Sequence, residues 1–212
     1  MKKFIVAFII LINPITSYCQ HPFLQNLVGI ATITFPDTPK VKSISGERFF
    51  VLNYHNASYS AVGSSLESGV GDLLSKNNDS AYNYFISAML KKVKGKILYK
   101  NNISIQGIKG VEFGASGKTT LDQPFYSYHR LLSLNDFLID YSFSSLDSIK
   151  KNDAKITSFF DTFKLTIKPS EIRQDNIEEL AYKTGKIVGV ILILGLIAGI
   201  GFAIVFIIRR IT

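Results

Sequence analysis

Residues Gly114 to Thr119 read GASGKT and contain residue types that bind a nucleotide phosphate through backbone amides and a lysine. A phosphate-binding loop also needs a glycine five residues before Gly117, but this chain has Glu112 there, whose negative charge would repel phosphate. The residues after Lys118 indicate an extended segment instead of the helix that follows such a loop. We therefore expect a hairpin loop here and no nucleotide site.

The histidines and carboxylates do not form a catalytic or metal-binding pattern. His21, His55 and His129 are far apart, and none has a metal ligand two or four residues after it. We expect His129, on a predicted strand, at the surface or rim of the domain. Asp136 and Asp140 lie in a hairpin, one of them in the turn, which does not favour an acid-base pair. We therefore predict no catalytic, cofactor-binding or metal-binding residue. We expect that the chain is not an enzyme and binds no cofactor.

The strongest local charge is the cluster formed by Lys91, Lys92, Lys94, Lys96 and Lys100. Its position after a predicted helix favours the interpretation of a solvated helix end. The alternative is a contact with the headgroups of a membrane.

The formal charge of +8 does not indicate a nucleic-acid partner. Six basic residues flank the apolar ends of the chain: Lys2, Lys3, Lys183, Lys186, Arg209 and Arg210. The segment between them holds 18 basic and 16 acidic residues. A domain so close to neutrality lacks the positive field that drives phosphate binding. We expect no nucleic acid among its partners.

Residues 1–19 have the order of a secretory signal peptide: two lysines, a short apolar run over Phe4 to Ile12, and a polar end. We expect cleavage after Cys19 or Gln20. Two alternatives are a lipoprotein that begins at Cys19, and an uncleaved N-terminal anchor. Tyr18, a bulky residue before Cys19, disfavours the first, and the short apolar run disfavours the second.

Residues 187–208 are 22 residues without a charge, between Lys186 and the pair Arg209 and Arg210. A helix of that length covers about 33 Å, enough to cross a hydrocarbon core of about 30 Å. The topology-setting charges are Lys186, Arg209 and Arg210. The positive-inside rule places Arg209 and Arg210 on the cytoplasmic side, so the C-terminus is expected to be cytoplasmic and the N-terminal domain periplasmic. We predict a single-pass protein of the cell membrane whose cytoplasmic tail is residues 209–212.

Small residues recur every four positions within that segment, at Gly195, Gly199 and Ala203. Such a ridge lets two membrane helices approach closely, so it is a candidate for pairing with a second copy or with a lateral partner. Residues 167–186 form the preceding linker, which we expect to be helical.

Hydrophobic periodicity places the remaining elements in residues 20–166. Helical spacing predicts helices over Asp79 to Val93 and Ser145 to Phe163. Alternation and β-branched residues predict the strands, which are Val28 to Phe35, Glu47 to Tyr54, Ser58 to Val62, Lys96 to Tyr99, Ile103 to Ile105, Ile108 to Ala115, Phe125 to Leu134 and Phe137 to Phe143. This segregated order favours an α+β domain, an antiparallel sheet covered by helices, over a doubly wound parallel sheet.

Four sequence segments resemble the PsbP-like domains: ITFPDTPK at Ile33, KGKILYKNNISIQGIKGVEF at Lys94, YHRLLSLNDFLIDYSF at Tyr128 and ITSFFDTFKL at Ile156. The glycines Gly107 and Gly110 belong to the resemblance, which covers Ile30 to Leu165. It implies an α/β/α sandwich, shared with the Mog proteins, and a role as an accessory or binding protein. It implies no active-site residue.

These observations together predict a membrane-anchored, exported, non-catalytic module that binds another envelope protein and contacts the lipid bilayer. One alternative is an envelope hydrolase of unknown substrate. The other is an assembly subunit that works through pairing of its membrane helix.

Overall fold

The computed structural model describes residues 22–44, 46–54, 56–65, 78–119, 121–134, 137–168, 186, 188 and 189. The strands are β1 (Phe23–Leu27), β2 (Ala31–Phe35), β3 (Lys40–Ile44), β4 (Glu47–Tyr54), β5 (Ala57–Ser65), β6 (Lys96–Ile105), β7 (Ile108–Lys118), β8 (Pro124–Leu134), β9 (Phe137–Ser145) and β10 (Lys164–Leu165). The helices are α1 (Asn78–Lys92), between β5 and β6, and α2 (Ala154–Phe160), between β9 and β10.

Seven strands form one antiparallel sheet in the order β3-β4-β5-β9-β8-β7-β6. Strands β6 to β9 follow one another as hairpins, while β5 pairs with β9 across a long separation in sequence. A second, three-stranded sheet has the order β1-β2-β10. Strands β3 and β6 are therefore the two edges of the large sheet.

Both faces of the large sheet are covered. The face that we call the small-sheet face packs against β1, β2 and α2, and its buried cluster includes Phe35, Tyr141 and Phe159. The opposite face, which we call the α1 face, packs against α1, and its buried cluster includes Phe85 and Phe113. Alternate residues of β9 enter the two clusters, as the period of two requires.

The predicted helix over Asp79 to Val93 is confirmed, with observed bounds Asn78–Lys92. Its stripe of Tyr82, Phe85 and Met89 lies on the large sheet. Lys94 ends the helix in the left-handed conformation, with φ of 48°, and the Gly95 N–H donates to the carbonyl of Leu90.

The second helix is much shorter than the predicted Ser145 to Phe163. Helix α2 spans Ala154–Phe160, and Asp153 caps it by accepting a hydrogen bond from the N–H of Lys155. Ser145 belongs to β9, and residues 146–153 connect the two elements. The helix starts late because Asp153 supplies the N-terminal cap.

The predicted fold class is wrong. The described residues are mostly antiparallel strand with two short helices, so they do not form a helix-covered α/β/α sandwich. The small-sheet face is covered partly by strands β1, β2 and β10. Sequence periodicity could not show this, because a short strand that covers another sheet has the same alternation as a strand within it.

The described part of the chain also lacks the C-terminal membrane helix of that fold class, since it contains no helix long and apolar enough to span a bilayer. The predicted segment 187–208 lies outside the described residues except for Val188 and Gly189. Val188 is buried in the cluster of the α1 face. A Cβ on Gly189 would lie 2.8 Å from Cβ of Lys92, so the chain passes close to α1 at this point.

Candidate functional site

A buried histidine and aspartate form the most distinctive polar pair in the described structure. Nδ1 of His129 lies 3.0 Å from Oδ1 of Asp140, and the two side chains are 0% and 1% exposed. The imidazole stacks on Phe113, with ring centroids 4.6 Å apart. The prediction that His129 lies at the surface or rim is wrong, because α1 and its Phe85 close this face of the sheet.

Buried serines surround that pair on the α1 face. The register places Ser142 directly across from His129, and Oγ of Ser142 lies 2.6 Å from Oγ of Ser60 on β5. Among the described residues, Nε2 of His129 and Oγ of Ser127 have no hydrogen-bond partner. The buried serines of this face are Ser58, Ser60, Ser64, Ser127, Ser133, Ser142 and Ser144.

A carboxylate on one ring nitrogen and a free second nitrogen is an arrangement found in general bases and metal ligands. With Asp140 ionised and the imidazole neutral, Nδ1 is the donor and Nε2 the free acceptor. The ring is closed to solvent, however, so no substrate reaches Nε2 in this conformation. Within the described ranges, no three His, Cys, Asp or Glu side chains are gathered as metal ligands. The pair therefore lies enclosed between the large sheet and α1.

The small-sheet face has its own charged pair. Nε of Arg130 donates a hydrogen bond of 2.9 Å to Oε2 of Glu112, and the guanidinium lies 4.9 Å from the ring centroid of Phe160. Oδ1 of Asp161 lies 4.0 Å from Nη1 of Arg130. Arg130 thus neutralises Glu112, the carboxylate nearest in sequence to β6 on its C-terminal side.

Two tyrosines near this pair are held in the neutral form. Burial raises the pKa of the Tyr99 phenol, and the charge of Glu112 raises that pKa further. Burial also raises the pKa of Tyr141, although the positive charge of Arg130 opposes the shift. Both phenols therefore keep their protons near neutral pH.

An accessible charged surface lies along the edge of the large sheet formed by β6. The lysines of the predicted cluster are all exposed there or at the adjoining end of α1. Nζ of Lys100 donates a hydrogen bond of 2.6 Å to Oδ1 of Asn83, which ties the strand to the helix. We call β6 and the lysines Lys91, Lys92, Lys94, Lys96 and Lys100 the basic edge.

The GASGKT sequence lies mostly in strand β7, where residues 114–118 pair with β8, and not before a helix. Nζ of Lys118 instead forms an ion pair of 2.9 Å with Asp122.

Lys186 is helical and exposed. The predicted ridge and the pair Arg209 and Arg210 lie outside the described residues, as do His21, His55 and Asp136.

No protein-family model matches the chain, and no curated protein matches it. Solved structures do match. A cyanobacterial PsbP from Synechocystis sp. PCC 6803 is 12% identical, with a TM-score of 0.44, and the match covers 64% of this chain and 86% of that chain.

Two other structures are more distant in shape. A Pseudomonas aeruginosa protein of unknown function, PA94, described as a putative regulator, is 12% identical, with a TM-score of 0.34 and coverage of 59% and 83%. A Bacteroides thetaiotaomicron protein is 10% identical, with a TM-score of 0.38 and coverage of 66% and 46%. At these identities and TM-scores the chain is similar to the PsbP-like fold at most, and the similarities carry no argument about function.

Proposed function

We propose that this chain is a non-catalytic binding module of the cell envelope, an exported protein of the PsbP-like type, and that it recognises an extended acidic segment of another protein. The basic edge is the observation that carries the proposal. The partner segment adds as a further strand beside β6, as in other complexes formed by strand addition.

The hairpin geometry supports an open row of backbone groups along β6. Gln106 and Gly107 have φ of 51° and 86° and form a two-residue turn that makes Ile105 and Ile108 the closing pair. Hydrogen-bonded and non-hydrogen-bonded pairs alternate along an antiparallel ladder. The backbone N–H and C=O groups of Lys100, Asn102 and Ser104 therefore point away from β7, toward the open edge.

The charge of the basic edge selects the partner. Residues 80–111 contain six lysines and no aspartate or glutamate. The next carboxylate, Glu112, is held by Arg130 on the small-sheet face. A strand with acidic side chains would therefore meet positive charge along β6.

Apolar side chains accompany the lysines. Ile97 and Leu98 are 43% and 44% exposed at the start of β6, next to Lys94 and Lys96. An apolar centre with a charged rim is the usual composition of a protein interface. The basic edge thus favours a partner strand in which acidic and apolar residues alternate.

A second copy of this chain is a poor occupant of the same edge. Pairing two β6 strands would bring lysines of both copies together, and like charges on facing strands are destabilising. Lysines on an edge strand commonly prevent such self-association. An acidic partner is the occupant that gains from them.

A fluorescein-labelled ten-residue peptide of alternating Val and Glu tests the proposal, with the full chain titrated and fluorescence anisotropy recorded. We expect saturable binding, at least tenfold weaker binding after Lys94, Lys96 and Lys100 are all changed to Gln, and no binding of a Val/Lys peptide. The matched control changes Lys40, Lys155 and Lys164, three exposed lysines elsewhere. Equal loss in the control, or tighter binding to phosphatidylglycerol vesicles than to the peptide, would contradict the proposal.

The location is part of the proposal and is supported by the sequence of the two ends alone. Alkaline phosphatase fused after residue 168 should be active, because that enzyme folds only outside the cytoplasm, and the same enzyme fused after residue 212 should be inactive. Activity of both fusions would contradict a cytoplasmic C-terminus.

If the ridge pairs two copies, Gly195→Ile and Gly199→Ile should abolish self-association in a membrane reporter assay.

A further inference from the structure

A groove lies at the other side of the domain, between the β1–β2 turn and the β3–β4 hairpin. Its volume is about 730 Å³, and its apolar lining comes from Val28, Val41 and Phe50. Phe50 is buried, whereas Val28 and Val41 are exposed. The groove is formed by elements that the basic edge does not include.

The backbone is strained where it forms this groove. Val28 has φ of 48°, in the left-handed region that β-branched residues rarely adopt. The other described non-glycine residues with positive φ are the unbranched Lys94, Gln106 and Asp122. Strain of this kind persists where surrounding structure enforces it and is frequent at binding sites.

Packing against β5 fixes the Val28 side chain in that position. A Cβ on Gly63 would lie 2.9 Å from both γ-carbons of Val28, so only glycine at position 63 admits this contact. The consequence is an apolar side chain presented to the groove and still 38% exposed. An asparagine or glycine would form the same turn without strain, so the turn alone does not explain the valine.

The polar lining of the groove favours an anion. Arg48 is exposed there and has no ion pair with a described residue, while Glu47 has an interaction of its own. Oδ1 of Asn26 accepts the N–H of Gly29 at 2.7 Å, which leaves the Asn26 amide nitrogen as a donor. A guanidinium and an amide donor beside apolar side chains match a carboxylate on an apolar body.

We infer that this groove binds a small amphipathic carboxylate, with the apolar part against Val28, Val41 and Phe50 and the carboxylate at Arg48. Arg48 is the specificity-determining residue, because its guanidinium distinguishes an acid from a neutral molecule of the same shape. The site is independent of the basic edge, so either proposal can fail without the other.

The probe is 4-phenylbutyrate, titrated into the full chain labelled with ¹³C at the valine methyl groups and followed by NMR. We expect saturable shifts of the Val28 and Val41 methyl signals, at least tenfold weaker binding of 4-phenyl-1-butanol, and loss of this preference in Arg48→Gln. Lys40→Gln, a cation outside the groove lining, should keep the preference. Absence of shifts at Val28 and Val41, or equal affinity for acid and alcohol, would overturn the inference.

A second variant separates binding from folding. Val28→Asn keeps a residue that tolerates the left-handed conformation, so the turn should form and the remaining valine signals should keep their positions. We expect its affinity for 4-phenylbutyrate to fall at least threefold. Unchanged affinity in this folded variant would remove Val28 from the site and contradict the inference.

Discussion

Gly110 on β7 packs directly against the backbone of Leu131 on β8, so that a Cβ at position 110 would lie 2.5 Å from the carbonyl oxygen of Leu131. It would also lie 2.5 Å from Cδ2 of Leu132. Gly107 has a different requirement, since a Cβ at position 107 would meet no atom within 4 Å but the φ of this residue is 86°. Two glycines three residues apart therefore meet two separate physical demands.

These demands predict unequal costs of substitution. Gly110→Ala should lower the free energy of unfolding by about 3 kcal/mol, because the clash involves backbone that cannot move alone. Gly107→Ala should cost only about 1 kcal/mol, the penalty of a left-handed alanine. Urea unfolding followed by tyrosine fluorescence is suitable, since the chain has 10 tyrosines and no tryptophan. Equal costs would contradict the close approach of the strands.

We expect the contributions of His129 and Asp140 to the free energy of unfolding to be strongly coupled. Asp140→Leu should destabilise the fold by about 3 kcal/mol, because it removes the partner of a buried imidazole. The double variant His129→Leu with Asp140→Leu should cost less than the single variant, since it removes both polar groups. A double-mutant cycle by urea unfolding measures this coupling, and additive costs would show that the two side chains do not interact.

Val28 predicts a gain of stability on substitution. Val28→Asn should raise the free energy of unfolding by about 1 kcal/mol, because asparagine relieves the left-handed strain. Val28→Ala is the control: alanine lacks the short polar side chain that lets asparagine adopt the left-handed region, so it should give a smaller gain. Thermal unfolding by circular dichroism measures both variants. A lower melting temperature for Val28→Asn would show that Val28 supplies packing and not strain.

Tyr141 predicts a loss of stability at high pH. Burial raises its pKa in the folded state above the usual value of 10.0, so the folded chain keeps the proton after an unfolded tyrosine has lost it. This contribution is complete below about pH 10 and is lost as the pH rises beyond it. Urea unfolding between pH 9 and pH 11, followed by circular dichroism, should show a smaller decrease for Tyr141→Phe than for the native chain. Identical decreases would contradict this role of Tyr141.

Local sequence signals predicted the elements that depend on short spacing. Helix α1 was predictable because its stripe repeats every three to four residues over its whole length. The hairpin of β8 and β9 was predictable from its turn and from alternation. The strand expected over Val28 to Phe35 begins only at Ala31, because Val28 and Gly29 turn the chain, and β1 precedes that turn.

The buried pair could have been found by extending the hairpin. If Leu134 pairs with Phe137, as the structure shows, His129 stands across from Ser142 and beside Asp140. What alternation could not show is the burial, since it depends on α1 covering this face from outside the hairpin. The covering of the small-sheet face by β1, β2 and β10 could not be predicted for the same reason, because it depends on contacts between segments far apart in the sequence.

The most direct test of the basic edge is to remove one open backbone N–H from β6 without breaking its ladder with β7. Asn102→Pro does this, because the N–H of Asn102 points away from β7 and proline lacks that group. Ser43→Pro is the matched control on β3, the opposite edge of the sheet. We predict that Asn102→Pro weakens binding of the Val/Glu peptide at least tenfold while Ser43→Pro leaves it unchanged. Unchanged binding by Asn102→Pro would contradict strand addition at β6.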